Sequence, residues 1–231
     1  MTAEPTEPPS QTVYRLLRRA IIEQALRPGA RLPEDAIGEQ FGVSRTVVRQ
    51  ALGRLEAEGL VETRRNRGAF VAEPTLEEAN QIFEMRHVLE REVIERLVKR
   101  ISVIGLDSLE AHVVQEERVR GKNGPVSIRL AGEFHTLLAE LSGNTVLARY
   151  VAELVSRCSL ILAMYSRKHS SDCAVDEHRQ IIQALRDRDP AKARRIMDEH
   201  LGAVAGRAEL AEEKEDDLEA VLARYGREMT A

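Results

Sequence analysis

Residues 41–52 read Phe41-Gly42-Val43-Ser44-Arg45-Thr46-Val47-Val48-Arg49-Gln50-Ala51-Leu52, and the fold of the N-terminal third is decided there. Gly42 supplies the backbone freedom that a sharp turn between two helices needs. Ser44 is a good N-cap for a helix that runs to Glu58, with Gly59 placed as its terminating glycine. A shorter helix over 34–41 precedes the turn. Ala36, Ile37, Val43, Val47, Val48, Ala51, Leu52 and Leu55 can lock the two helices together. That leaves Arg45, Thr46, Arg49 and Gln50 at the exposed N-terminal end of the second one.

Outward from this turn, apolar spacing over 12–25 predicts a first helix, ended by Pro28-Gly29. Two short strands are expected over 60–63 and 69–71, around the tip Arg64-Arg65-Asn66-Arg67-Gly68. Helix, helix, turn, helix and hairpin make a winged helix-turn-helix, whose recognition helix enters a major groove. Arg donates two hydrogen bonds to guanine and Gln pairs with adenine. Arg65 and Arg67 are placed to reach phosphate or a minor groove, with Gly68 allowing close approach. Solvation of a helix face explains any one of these arginines, but not the ordered set.

Charge agrees with this division. From 11 to 72 there are eleven Arg, no Lys and seven acidic residues, whereas 209–219 carries seven acids against one Lys. The chain's net charge of −4 therefore hides a basic N-terminal module joined to an acidic body. At 43% hydrophobic and only 3% aromatic, with no Trp, the composition favours helix-on-helix packing over a sandwich or barrel. No apolar run approaches the ~18–20 residues of a membrane span. The acidic, Pro-rich residues 1–10 have no apolar core, so a disordered tail is expected there rather than a signal peptide. Cys158 and Cys173 are too few for a disulfide framework, which suits a reducing cytoplasm.

Beyond Pro74 only helical periodicity appears, over 76–100, 106–120, 126–141, 145–168, 174–187 and 191–208, with 209–231 as an acidic helical or frayed tail. The chain therefore divides into a winged module over 11–73 and an all-α bundle over 76–208. His178 lies twelve residues before Pro190 and His200 ten after it, so antiparallel helices bring the two to one height. His135 sits on a separate helix beside Leu137, Leu138 and Leu141. Three imidazoles meeting inside a bundle suit Zn²⁺, Ni²⁺ or Mn²⁺ with open positions. Arg86 and Glu90 lie one turn apart, either as a surface pair or with Arg86 facing inward to clamp a carboxylate.

Arg31-Leu32-Pro33-Glu34, the run from Phe41 to Leu52, Arg54-Leu55, Glu58-Gly59-Leu60-Val61 and Gly68-Ala69-Phe70-Val71 together resemble the GntR family of bacterial transcription regulators. The helical remainder resembles the effector-binding FCD domain of its FadR-type branch. The resemblance implies a homodimer on a palindromic double-stranded DNA operator and a small-molecule effector, often an organic acid. Repression relieved by ligand is its commoner polarity. It also implies that Arg45 and Arg49 read bases, with Ser44 and Thr46 nearby. Asp35 departs from relatives that carry a basic DNA-contacting residue at that place. FCD domains commonly bind a metal through an Asp and three His. The His match here, but Ala131 stands where the Asp is expected, and Glu133 points to another face. The three His then hold a metal completed by water or effector oxygens, or bind an anionic effector directly.

Two other functions fit parts of the sequence. A metal hydrolase could use the three-His centre, although no Glu or Asp is obviously paired with it as general base. A structural protein could bind DNA without sensing an effector. The winged module argues against the first, and ligand-dependent release from DNA separates the second from a regulator.

Overall fold

Gly42 has φ +64°, the left-handed conformation that a side chain resists, and closes helix α2 (Glu34–Phe41) against helix α3 (Arg45–Ala57). The Ser44 hydroxyl accepts from the Val47 amide at 3.4 Å and caps α3. These details come from a computed structural model that describes residues 7–122, 124–165 and 172–207. Helix α1 (Pro9–Ile22) lies across α3, and Val13, Leu17 and Ile21 meet Val48, Ala51, Leu52 and Leu55 in one buried cluster. Two of the wing strands fall where expected, as β2 (Val61–Arg64) and β3 (Gly68–Val71), paired antiparallel with Val61 opposite Val71. A third, β1 (Arg31–Leu32), adds to the far edge of β3, giving the order β1-β3-β2. Two residues carry no periodicity, so β1 escapes a pattern-based reading.

The helical body runs α4 (Leu76–Arg100), α5 (Val103–Val119), α6 (Gly124–Leu141), α7 (Thr145–Tyr165), α8 (Asp172–Arg186) and α9 (Pro190–Arg207). The long α4 packs against α6, α7, α8 and α9. Thr75 caps its start, Glu77 and Glu78 sit in its first turn, and Lys99 and Arg100 in its last, each sign matched to the helix dipole. Leu97, Leu109, Phe134, Leu138, Ile181 and Leu201 are among the fully buried side chains of the body's core. No helix among the described residues is long and apolar enough to cross a membrane.

Several helices start earlier than their apolar spacing suggests. α1 begins at Pro9, inside the span expected as a disordered tail, because proline lacks only an N–H that the first helical position leaves unused. α1 also ends at Ile22 instead of 25, where Gln24 takes φ +60°. Gly105 does not break the chain; Ser102 accepts from its amide at 3.1 Å and starts α5 three residues upstream of the expected position. Residues 1–6, the stretch 166–171 and the acidic tail from 209 onward lie outside the described residues.

One stretch of α7 joins body to winged module. Leu160 is fully buried within the winged module's core cluster. Ser156 accepts from Arg18 of α1 at 2.6 Å, and Arg157 pairs with Glu78 of α4. Elsewhere, Arg129 of α6 donates to Glu23 at 2.7 Å and the Tyr165 hydroxyl to the Pro74 carbonyl at 2.9 Å. The Arg157 arm runs along the backbone at Gly59, so a Cβ there would lie 2.8 Å from its Nε.

Gly59 also has φ +68°. Gly59→Ala should therefore destabilise the protein by about 1–2 kcal/mol, from backbone strain plus the clash. Adding Arg157→Ala should remove the clash and leave the strain. Urea unfolding of both single variants and the double variant would then give a coupling above about 0.5 kcal/mol. Additive effects would mean that Arg157 does not rest on Gly59.

Candidate functional site

Two groups of side chains stand out, one on the winged module and one inside the body. Arg45, Thr46, Arg49 and Gln50 are all exposed on α3, next to its N-cap Ser44. Arg65, Arg67 and Gly68 are exposed at the tip between β2 and β3, where Asn66 takes φ +58° and Gly68 φ +90°. Arg64 points elsewhere: it pairs with Glu62 and Glu73 and lies 4.5 Å above the Phe70 ring. The cations of α3 are not bare. Arg49 donates through Nε to Glu34 at 2.7 Å, and Arg45 pairs through Nε with Asp35.

His135 of α6, His178 of α8 and His200 of α9 meet in the body's interior, each at most 2% exposed. One ring nitrogen from each lies within 4.8 Å of the others. The antiparallel counting across Pro190 thus places His178 and His200 correctly, and His135 joins them. Each imidazole is held from behind at Nδ1 by a glutamate. His135 meets Glu90 of α4 at 2.5 Å, His178 meets Glu116 of α5 at 2.9 Å, and His200 meets Glu177 at 2.6 Å. Phe134 stacks on the His178 ring with centroids 3.9 Å apart. Ala131, one turn before His135, brings no ligand atom.

The Nδ1 bonds determine what the inner nitrogens can do. A neutral imidazole that donates Nδ1–H to a carboxylate keeps a bare lone pair at Nε2. His135 and His200 bring their Nε2 atoms to 3.0 Å of each other, two acceptors face to face. The buried Nε2 of His178 has no hydrogen-bond partner among the described residues. Such a cluster suits a cation. Ligand nitrogens around a tetrahedral ion stand about 3.3 Å apart, from Zn–N bonds of roughly 2.0–2.1 Å. Carboxylates that orient the ligating imidazoles are the usual outer support of such centres.

Arg86 is buried, so the surface-pair alternative for Arg86 and Glu90 does not hold. Its Nε donates to Glu90 Oε1 at 2.5 Å while Oε2 of the same carboxylate meets His135. The buried Cys158 of α7 lies close enough to its guanidinium for the two to interact. Burial alone would raise Glu90, but Arg86 and His135 hold it down to about 2. Burial pushes Glu116 up to about 8, against the opposing pull of Arg179. Burial lowers His135 to about 4, despite the pull of Glu90. Burial also lowers His178 well below the ordinary range and His200 in the same direction. Sequence reasoning missed Glu116 and Glu177 as partners of the histidines. Glu177 adjoins His178 but serves His200, and no spacing along the chain connects Glu116 to His178.

These shifts set opposite limbs of a stability curve for the metal-free protein. The unfolded chain protonates its histidines near 6.5 and folded His135 only near 4, so stability falls as pH drops through that interval. Folded Glu116 keeps a proton up to about 8 that the unfolded chain releases near 4.5, so its contribution is lost as pH rises between them. Below 6.5 the three histidines outweigh one glutamate. Urea midpoints in chelator should peak near pH 6.5, and Glu116→Gln should flatten the alkaline limb and steepen the acid limb above about pH 4.5. A peak unmoved in shape by that change would take Glu116 out of the titration.

Comparison with known proteins agrees with both halves. Residues 9–71 match the profile of bacterial regulatory proteins of the gntR family, and residues 81–203 match the FCD domain. The chain is 27% identical over 203 residues to the transcriptional repressor RspR of Escherichia coli, covering 87% of this chain and 89% of that one. It is 30% identical over 197 residues to the regulator LutR of Bacillus subtilis, covering 76% and 90%. The Uxu operon transcriptional regulator of Escherichia coli is 28% identical over 228 residues, covering 89% of each. Among solved structures, Escherichia coli McbR/YncC superposes with a TM-score of 0.78 at 20% identity, over 88% of this chain and 98% of that one. A GntR-type protein from Rhodococcus sp. RHA1 gives 0.74 at 23%, over 86% and 96%. At these identities the structures speak for the fold.

Proposed function

Because the chain belongs to the GntR family of bacterial transcriptional regulators and carries an FCD domain, we propose that it binds a palindromic operator as a homodimer, under control of a metal-assisted carboxylate effector. The observation that carries the effector half is the set of three inward-facing imidazole nitrogens, each backed by a glutamate, within one buried cluster. His135, His178 and His200 would hold Zn²⁺, Ni²⁺ or Mn²⁺. When bound, the ion supplies a Lewis-acidic position that attracts carboxylate oxygens. With Ala131 in place of a fourth ligand, more of its coordination is left to effector or water. Hydrolysis finds no support, because Glu90, Glu116 and Glu177 are committed to Nδ1 atoms and none is left as a base on the open side.

On the DNA half, Arg45, Arg49 and Gln50 read base edges, Ser44 and Thr46 bond backbone close by, and Arg65, Arg67 and Gly68 approach phosphate or minor groove. Arg86 serves the effector site through Glu90, which it holds in place against His135. It also ties that site to α7 through Cys158, two residues from Leu160 in the winged module's core. A change of packing around the histidines is thereby passed to the helix on which the winged module rests. Moving the protein from mostly bound to mostly free takes a differential effector affinity of about 5 kcal/mol.

Metal content tests the effector half. Protein purified without tag or chelator should carry near-stoichiometric metal, and His178→Ala should lose it. Metal absent from both would overturn the metal-assisted reading and leave an anion to be bound by protonated histidines directly. For the DNA half, Arg49→Ala should cost about 1–3 kcal/mol of base discrimination. Replacing Arg65 and Arg67 together should weaken binding to every sequence and flatten the salt slope by roughly 0.9 per lost phosphate contact. An unchanged slope in anisotropy titrations would remove the wing tip from the phosphates.

A further inference from the structure

Two carboxylates stand on the face assigned to DNA, where a purely phosphate-seeking surface would have none. Glu34 and Asp35 are the first two residues of α2, and each engages one arginine of α3, Arg49 and Arg45 respectively. Both contacts use the same edge of the guanidinium. Glu34 takes the Arg49 Nε–H at 2.7 Å, and Asp35 faces Arg45 Nε. An arginine bound at Nε keeps its two terminal nitrogens free, and these form the fork that spans O6 and N7 of guanine. The arginines are each 66% exposed and Asp35 67%, so the pairs lie in water and contribute little to folding. Their consequence is for what the arginines can do.

Two effects follow, and they act in the same direction. A carboxylate at Nε restricts the swing of a long side chain, so the fork is offered in one orientation and is less free to turn to a nearby phosphate. The carboxylates also repel the phosphate backbone, which supplies nearly all sequence-independent binding. On guanine, the base contact is gained and the repulsion offset; on other bases only the repulsion remains. Specificity of this kind combines an attractive contact with a penalty against the wrong partner.

We infer that Glu34 and Asp35 are specificity-determining positioning residues, which hold Arg49 and Arg45 by their Nε edges so that the free forks select guanine. The inference rests on the reading that α3 enters the major groove. It assigns to the operator a guanine opposite each of the two arginines in every half-site.

The test uses the full chain and two probes: a duplex library with a randomised 20-base-pair centre, and one arbitrary duplex of fixed sequence. Wild type should enrich guanine at a position that Arg45→Ala loses. Asp35→Asn should lower relative affinity for guanine at that same position about tenfold, and Asp35→Glu should restore it. Affinity of Asp35→Asn for the fixed duplex should rise several-fold, with a salt dependence at least as steep as wild type. Glu34→Gln should act in the same way at the Arg49 position. Wild-type selectivity and unchanged fixed-duplex affinity in Asp35→Asn would overturn the inference, as would a parallel fall in both affinities. A library left unenriched by wild type and Arg45→Ala alike would instead overturn the major-groove reading beneath it.

Discussion

The Glu90 carboxylate, shared between Arg86 on one oxygen and His135 on the other, is the contact on which the interior of the body depends. A carboxylate so deeply buried is costly unless it is paired and fully hydrogen-bonded. Arg86 meets that requirement, and the ionised Glu90 then fixes which nitrogen of His135 carries hydrogen. Glu116 shows the contrasting case. It too is bonded to a buried histidine, at 2.9 Å, but among the described residues no buried arginine pairs with it, and burial moves it up to about 8 where Glu90 sits near 2. Two identical side chains in one cluster thus keep different charges at neutral pH. An ionised Glu116 accepts Nδ1–H and leaves His178 Nε2 bare, whereas a protonated one donates to Nδ1 and places hydrogen on Nε2. Binding of the proposed cation at the three histidines would therefore go with loss of the Glu116 proton.

The same pair connects this interior to the winged module. Arg86 interacts with Cys158 on α7, and within that stretch of helix Ser156 meets Arg18 and Leu160 enters the winged core. α6 makes a second connection, since it carries both His135 and Arg129, whose guanidinium reaches Glu23 at the end of α1. Both helices present the histidine centre on one side and the DNA-binding unit on the other. Close-packed helices transmit a displacement without absorbing it. The proposed coupling between the two sites would need no mobile linker.

How much of this is legible in the sequence depends on the range of the signal. The turn at Gly42, the Ser44 cap and the exposed arginines of α3 are local, and periodicity with capping chemistry reveals them. The meeting of His178 and His200 is also readable, because a single proline-marked hairpin fixes their relative height. His135 follows from its apolar neighbours. What stays hidden is pairing between distant helices: Glu116 with His178 across 62 residues, Glu177 with His200, and Leu160 within a core made mostly by residues 13–71. Pro9 and Gly105 mislead for a different reason. Both read as breakers, yet each sits in the first turn of a helix, where the usual penalties do not apply.

Ala131 has the opposite character: it is conspicuous in the sequence and its meaning lies in charge. Three neutral imidazoles leave a divalent cation with its full positive charge, where an aspartate ligand would cancel half of it. The nearby carboxylates do not compensate equally. Glu90 is matched by Arg86, which leaves Glu116 and Glu177 as the carboxylates behind the histidines that can offset an ion. A loaded centre would therefore carry less compensating charge than one with an aspartate ligand, in a low-dielectric interior where each unmatched charge counts for more than it does at the surface. An anionic ligand with oxygen donors answers both the missing coordination and the missing charge. With Ala131 at this place, the proposed metal centre would depend on an anionic ligand more than one with a fourth protein ligand does.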